Sequence, residues 1–353
     1  MEWDETLPDV EMPAILAVRP PPGAAANYLD MEPDENTDEN DVNSILDNSD
    51  IDSALGDSET WPSSTASLRS SVVRAREENG RIYHGYKDGK YVLPTDQEEL
   101  DRQAFQYQLC QLTFGNRLGF APVQRPHRVL DVGCGLGLWA MDFESEVVGV
   151  DLSPVQPGYT PPNVHYEIDD LEEEWSFSRH FDYIHSLMMT GAFRDWPNFY
   201  RQAFENLNSG GWLEIQDINF PMRCEDDSIP AGSDLVRWNN LMMEAASRSG
   251  FSLDSCGRAG DMMRAAGFVD IVRIPYKWPI NRWPRDARHK EVGEWVEANF
   301  VNGLESITLA LFTRFLGWTK TDVWDFITRV IDEWRDLRHH GYFDVYVTYG
   351  RRQ

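Results

Sequence analysis

Short apolar runs alternate with stretches of helical period through the middle of the chain. Arg128 to Leu130, Val147 to Val150, Val164 to Ile168, Phe181 to Ser186 and Trp212 to Gln216 read as strands. Between them Leu138 opens one helix. Phe199 to Leu207 forms another, which stops at Asn208-Ser209-Gly210-Gly211. Strands alternating with helices predict an α/β protein with a doubly wound, mostly parallel sheet. Ahead of it, residues 96–113 carry Leu100, Ala104, Tyr107, Leu109 and Leu112 on an irregular stripe. Thr95 and Glu98 stand at capping-box spacing, so a helix is predicted there. Residues 234–249 and 258–266 read as helices and Val269 to Ile274 as a strand. Three helices follow in a tryptophan-rich stretch, the last with Val323, Phe326, Ile327, Val330, Trp334 and Leu337 at helical spacing. Phe343 to Tyr349 alternates cleanly and reads as a closing strand.

Candidate chemistry collects at the strand ends. The segment Asp131-Val132-Gly133-Cys134-Gly135-Leu136-Gly137 follows the first strand. Its glycines let the backbone turn sharply into a helix whose free N–H groups can bind an anion. Asp151 ends the second strand, where a carboxylate is placed to accept hydrogen bonds from a ribose diol. A dinucleotide fingerprint would need glycine at position 138, which is Leu138. A carboxylate at Asp131 would repel a pyrophosphate. It suits a ligand with a cationic amino group, such as the methionine part of S-adenosylmethionine. Asp169-Asp170 adds a third acidic site. Asp131, Asp151, Asp169, His185 and Asp217 all fall at or just past strand ends, where ligands of such sheets bind. His185 is the foremost candidate for a catalytic base, the competing reading being a histidine that shapes the pocket. Asp217 and His165 come after it. No metal-binding motif and no nucleophile elbow is present.

Charge is distributed unevenly. The chain of 353 residues has a net charge of −27, which argues against non-specific binding to nucleic acid or anionic lipid. Residues 1–70 hold 17 Asp or Glu against Arg19 and Arg69 alone. Their few apolar residues cannot offset the entropy of ordering, so this stretch reads as disordered. It serves either as a solubilising tail or, through Ile45-Leu46, Ile51, Leu55 and Trp61, as a docking segment for a protein partner. The four cysteines form no disulfide framework, the N-terminus lacks a signal-peptide pattern and no apolar run reaches membrane-span length. An intracellular protein of cytoplasm or nucleus is expected.

The chain resembles the class I S-adenosylmethionine-dependent methyltransferases, and more closely the LaeA-like group of fungal methyltransferases associated with secondary metabolism. The resemblance covers roughly Gly80 to Arg352. It rests on Tyr83-His84-Gly85-Tyr86, Glu98-Glu99-Leu100-Asp101-Arg102 and the Asp131 loop. Further matches are Asp151-Leu152-Ser153-Pro154-Val155-Gln156-Pro157, Glu167-Ile168-Asp169-Asp170, Phe181 to His185, Asp195-Trp196 and Gly210 to Glu214. The segment from Asp151 to Pro157 is the most specific of these. The resemblance implies a Rossmann-like core with an antiparallel closing strand, and S-adenosyl-L-methionine as cofactor. By the same resemblance Asp131, Gly133, Gly135 and Gly137 would approach its methionine moiety, Asp151 with Leu152 its ribose, and Asp169 or Asp170 its adenine amino group. The chain departs from the group at Leu136, at Leu187 where Arg is frequent, and at Tyr107-Gln108 where a Gln-His pair is common.

The implied organisation is an acidic tail (1–70), an N-terminal helical lid (71–125), a cofactor-binding core (126–275), C-terminal helical additions holding the acceptor pocket (276–340) and the closing strand (341–353). Trp278, Trp283, Trp295, Trp318, Trp324 and Trp334 read either as core or as the wall of a pocket for an apolar or aromatic acceptor. Methionine pairs 188–189, 242–243 and 262–263 carry the same two readings. Two functions are open: methylation of a small secondary metabolite at oxygen or nitrogen, and regulation of secondary metabolism or development through protein partners.

Overall fold

A computed structural model describes residues 75–353. The expected disordered tail and its docking segment lie outside the described residues. The described chain opens with a hairpin, β1 (Arg76–Glu78) and β2 (Arg81–Tyr83). Asn79 and Gly80 form its turn with φ of 56° and 78°, the geometry that Asn-Gly favours. That dipeptide was the available signal for a hairpin the sequence reading passed over. Helix α1 (Gln97–Phe114) follows. Its cap lies one residue later than the expected Thr95: Asp96 accepts the Glu99 N–H at 3.2 Å. Asp96 also receives two bonds of 2.7 Å from Arg81, so one carboxylate joins hairpin and helix.

The main sheet contains β3 (Arg128–Val132), β4 (Glu146–Asp151), β5 (Val164–Ile168), β6 (Phe181–Leu187), β7 (Leu207–Arg223), β8 (Val269–Pro279) and β9 (Tyr342–Arg351). The spatial order is β5-β4-β3-β6-β7-β9-β8. Strand β9 runs antiparallel to both β7 and β8, and the pairings from β5 to β7 are parallel. This is the doubly wound sheet that the alternating pattern predicts, with the antiparallel closing strand that the resemblance implies. Strand β7 extends past the expected Gln216 because β9 pairs with it through Asn219. Helix α2 (Leu138–Asp142) follows β3, and α3 (Trp196–Asn206) precedes β7. The latter starts before the expected Phe199, because Asp195 caps it by accepting the Asn198 N–H at 2.9 Å. The remaining helices are α4 (Asp234–Ser249), α5 (Ala259–Ala266), α6 (Ala287–Leu311) and α7 (Lys320–Trp334). None among the described residues is long and apolar enough to cross a membrane.

Strand alternation divides the core. Leu130, Val132, Val148 and Ile184 face Phe199, Tyr200 and Met263 on one side of the sheet. Val129, Val147 and Tyr183 face Trp139 and Phe143 on the other. The C-terminal half forms a separate aromatic cluster around Trp238, Trp278, Phe300, Trp334 and Phe343. Each buried indole N–H there has an acceptor: Thr308 Oγ1 for Trp238, Thr113 Oγ1 for Trp278 and the Ile280 carbonyl for Trp334.

Candidate functional site

One cleft lies beyond the carboxyl ends of β3, β4, β5 and β6. The strand ends and their loops form its floor. Its opposite wall is made by α1 together with the strap that leads into it (Lys90, Tyr91, Leu93, Thr95). The floor depends on backbone geometry. Gly133, Gly135 and Gly137 have φ of 66°, 50° and 74°, a region that strains any residue with a side chain. The Val150 carbonyl accepts from the N–H groups of both Gly133 (2.8 Å) and Cys134 (3.1 Å), which ties the loop to β4. Gln156 braces it from outside, donating to the carbonyls of Gly135 (2.8 Å) and Ser153 (3.0 Å). That bond accounts for the glutamine in the Asp151 to Pro157 segment.

Asp151 holds the loop and keeps capacity in reserve. Its Oδ2 accepts the Gly135 N–H and its Oδ1 the Ser153 N–H, each at 2.9 Å. Each carboxylate oxygen has a further lone pair. Burial pushes this carboxyl above its usual range, and the two amide donors act against that. Asp169 and Asp170, which the sequence leaves as alternatives, separate here. Asp170 is buried, pairs with Lys90 and accepts the Glu172 N–H, while Lys90 also reaches Glu172 at 3.1 Å. The Asp169 carboxylate accepts only the neighbouring Asp170 N–H among the described residues, through one oxygen, and the residue lines the cleft together with Leu152.

His185 lies in β6, opposite Asp131 of β3. Its ring is fully buried and does not line the cleft. The ring stacks face to face on Trp139 at 3.7 Å, and Nδ1 lies 3.1 Å from Asp131 Oδ1. The ring packs within the core rather than on the cleft wall. Asp131 lies at the floor with 2% exposure, and burial raises its carboxyl against the influence of His185. The secondary candidates also stand apart from the cleft. His165 is an exposed residue of β5, and Asp217 is buried and absent from the cleft wall. Gly137 starts α2, where a Cβ would meet the Tyr166 hydroxyl at 2.0 Å, so close packing rather than the cleft requires it. Gly135 does face the cleft, and a Cβ there would approach Gln103 Oε1 on α1 to 3.4 Å.

None of the six tryptophans weighed as an acceptor wall lines the cleft. Trp278 and Trp334 are core, while Trp324 is 47% exposed. Among the methionine pairs only Met188 and Met189 reach the cleft. The strap and α1 contribute what sequence reasoning missed: Tyr91, Gln103 and Gln106. The last two lie three apart on one face of α1, a polar pair that the search for an apolar stripe passes over. No group of metal-ligating side chains occurs among the described residues.

A family model for a methyltransferase domain matches residues 100–271. Methyltransferase pytC of Aspergillus terreus is 37% identical over 292 residues, covering 81% of this chain and 90% of its own. Secondary metabolism regulator LAE1 of Cochliobolus heterostrophus is 34% identical over 288 residues, covering 78% and 94%. Among solved structures, phosphoethanolamine N-methyltransferase 2 of Haemonchus contortus aligns at 14% identity over 82% of this chain and 73% of its own, with a TM-score of 0.46. With relatives of this identity aligned over most of both chains, the chain belongs to the class I S-adenosylmethionine-dependent methyltransferases, in the LaeA-like group of fungal methyltransferases.

Proposed function

We propose that this methyltransferase acts on an oxygen or nitrogen of a small, uncharged secondary-metabolite acceptor in a fungal biosynthetic pathway. The observation that carries the reading is the charge state of the cleft. Both cations in its lining are already neutralised, Lys90 by Asp170 and Glu172 and Arg102 by Glu99. Open acceptor capacity remains on Asp151 and Asp169. Such a site favours a cationic cofactor and offers no counter-ion to an anionic acceptor.

Roles follow for the individual residues. Asp151 accepts the ribose hydroxyls, Leu152 covers that face, and Asp169 takes the adenine amino group while Asp170 anchors the strap through Lys90. Asp131, Gly133 and Gly135 border the methionine portion. The bound cofactor supplies a methyl group on a sulfonium, already a good leaving group, so the protein orients the reactants and excludes water. A base is needed only where the acceptor must lose a proton. Tyr91 lines the cleft with no hydrogen-bond partner for its phenol among the described residues. Burial raises that phenol, which makes it a hydrogen-bond donor rather than a base. His185 fixes Asp131 and takes no part in proton transfer.

The regulator LAE1, at an identity close to that of pytC, favours a second reading: control of secondary metabolism through protein partners inside the cell, engaged by the acidic N-terminal segment. Incubating the purified chain with methyl-labelled cofactor and an extract of fungal metabolites separates the two. Label in one small molecule supports the enzyme. Label in protein, or none despite intact binding of S-adenosylhomocysteine, sinks it in favour of the regulator.

A further inference from the structure

Helix α1 carries a buried polar network that joins it to α6. Glu99 and Asn299 are nearly inaccessible, and Arg102 is buried with them. Both Glu99 oxygens accept from Arg102, at 2.7 and 2.8 Å. Arg102 Nη1 also donates to Asn299 Oδ1 at 3.0 Å and to Gln106 Oε1 at 2.8 Å. A glycine at 303 on α6 makes room for it, since a Cβ there would fall 2.1 Å from Arg102 Cδ.

This network dictates how two amides point. A carboxylate only accepts, so the amide that meets Glu99 must present its NH2, and Gln103 Nε2 donates to Glu99 Oε1 at 3.2 Å. The oxygen of Gln103 is thereby left toward the glycine loop, where it lies 3.4 Å from the Cβ position of Gly135. A guanidinium only donates, so Gln106 must present its oxygen to Arg102, and the Asn299 amide donates to the same oxygen at 3.3 Å. The NH2 group of Gln106 is left without a partner among the described residues, on a side chain that lines the cleft. Two glutamines one helical turn apart thus offer opposite groups to the same space, one an acceptor and the other a donor.

We infer that Gln103 and Gln106 read the amino-acid zwitterion of the cofactor, Gln103 accepting from its ammonium and Gln106 donating to its carboxylate, with Glu99, Arg102 and Asn299 as positioning residues. No cation in the cleft is free to take that carboxylate, because Lys90 and Arg102 are both paired. A neutral amide donor fills the gap. The inference rests on the proposed use of the cleft for this cofactor.

The test titrates the full chain calorimetrically with S-adenosylhomocysteine, which has the zwitterion, and with 5′-methylthioadenosine, which lacks it. Gln103→Leu and Gln106→Leu should each weaken S-adenosylhomocysteine by about tenfold or more and leave methylthioadenosine within about twofold, the loss of one charge-assisted hydrogen bond. The charged variants give opposite signs. Gln103→Glu should keep or improve S-adenosylhomocysteine binding, whereas Gln106→Glu should abolish it by repelling the carboxylate, a pattern that general damage to α1 cannot produce. Equal losses for both probes, or no loss for either, overturn the inference while the proposed cofactor site stands. A wild-type chain that binds neither probe overturns the site together with the inference.

Discussion

The cleft and the aromatic cluster of the C-terminal half are both rich in large side chains, yet they are finished differently. In the cluster, the indole N–H groups of Trp238, Trp278 and Trp334 each have an acceptor. In the cleft, the Tyr91 phenol, the Gln106 NH2 and one oxygen of Asp169 keep unused capacity among the described residues. Aromatic content alone therefore does not locate a binding site. Residual hydrogen-bonding capacity at a solvent-reachable wall does, because a ligand can then replace water without leaving polar groups unpaired.

That contrast can be broken from either side. The largest effect should come from Trp334→Ala, which opens a cavity in the cluster and orphans the Ile280 carbonyl. A loss of about 3–5 kcal/mol of stability is expected from denaturant melts, with the affinity of the folded fraction for S-adenosylhomocysteine unchanged. A matching fall in affinity would show that the cluster is part of the site after all. Asp151→Ala should do the reverse, at about 1.5–3 kcal/mol of binding free energy for the lost charge-assisted bonds. Calorimetry should then read an affinity loss of tenfold or more, and normal binding by a folded variant would remove Asp151 from the ribose role.

Asp217 sharpens the comparison because it sits in the packed region and still has an unpartnered buried oxygen. Burial pushes its carboxyl up to about 7. Between the ordinary carboxylate value and about pH 7 the folded state binds more protons than the unfolded one, so stability must decline as pH rises through that window. Asp217→Asn should flatten the decline and melt higher than wild type at pH 8. An unchanged pH profile would mean that Asp217 does not carry this linkage. The smallest effect is expected for Gly135→Ala, where a left-handed φ of 50° costs about 1–2 kcal/mol for a residue with a side chain. Its Cβ also narrows the gap under Gln103. Weaker S-adenosylhomocysteine binding with little change in methylthioadenosine binding is the expected result.

The parts of this molecule that were legible in the sequence are those fixed by backbone. The glycine loop, Asp151 at the end of β4 and the strand β9 follow from local pattern, because left-handed turns, strand ends and alternation each leave a residue-type signature. Side-chain geometry leaves weaker marks. His185 occupies the expected strand, yet its ring is buried against Trp139 and stays out of the cleft lining. Glu214 stands in the Gly-Gly-Trp-Leu-Glu motif, but its task is buried: it accepts from the Phe120 and Ala121 N–H groups, the Tyr183 hydroxyl and Gln216. Gln103 and Gln106 are oriented by Glu99 and Arg102 on the same helix, but the bond that Asn299 adds to Gln106 comes from nearly two hundred residues away, and no local window contains that partner.

Calorimetric titration of the full wild-type chain with S-adenosylmethionine, and separately with S-adenosylhomocysteine, tests the central claim most directly. Saturable one-to-one binding of both is expected, lost on replacing Asp151 while the fold is retained. A well-folded chain that takes up neither would contradict that claim, and would leave the cleft as an inherited shape without its ligand.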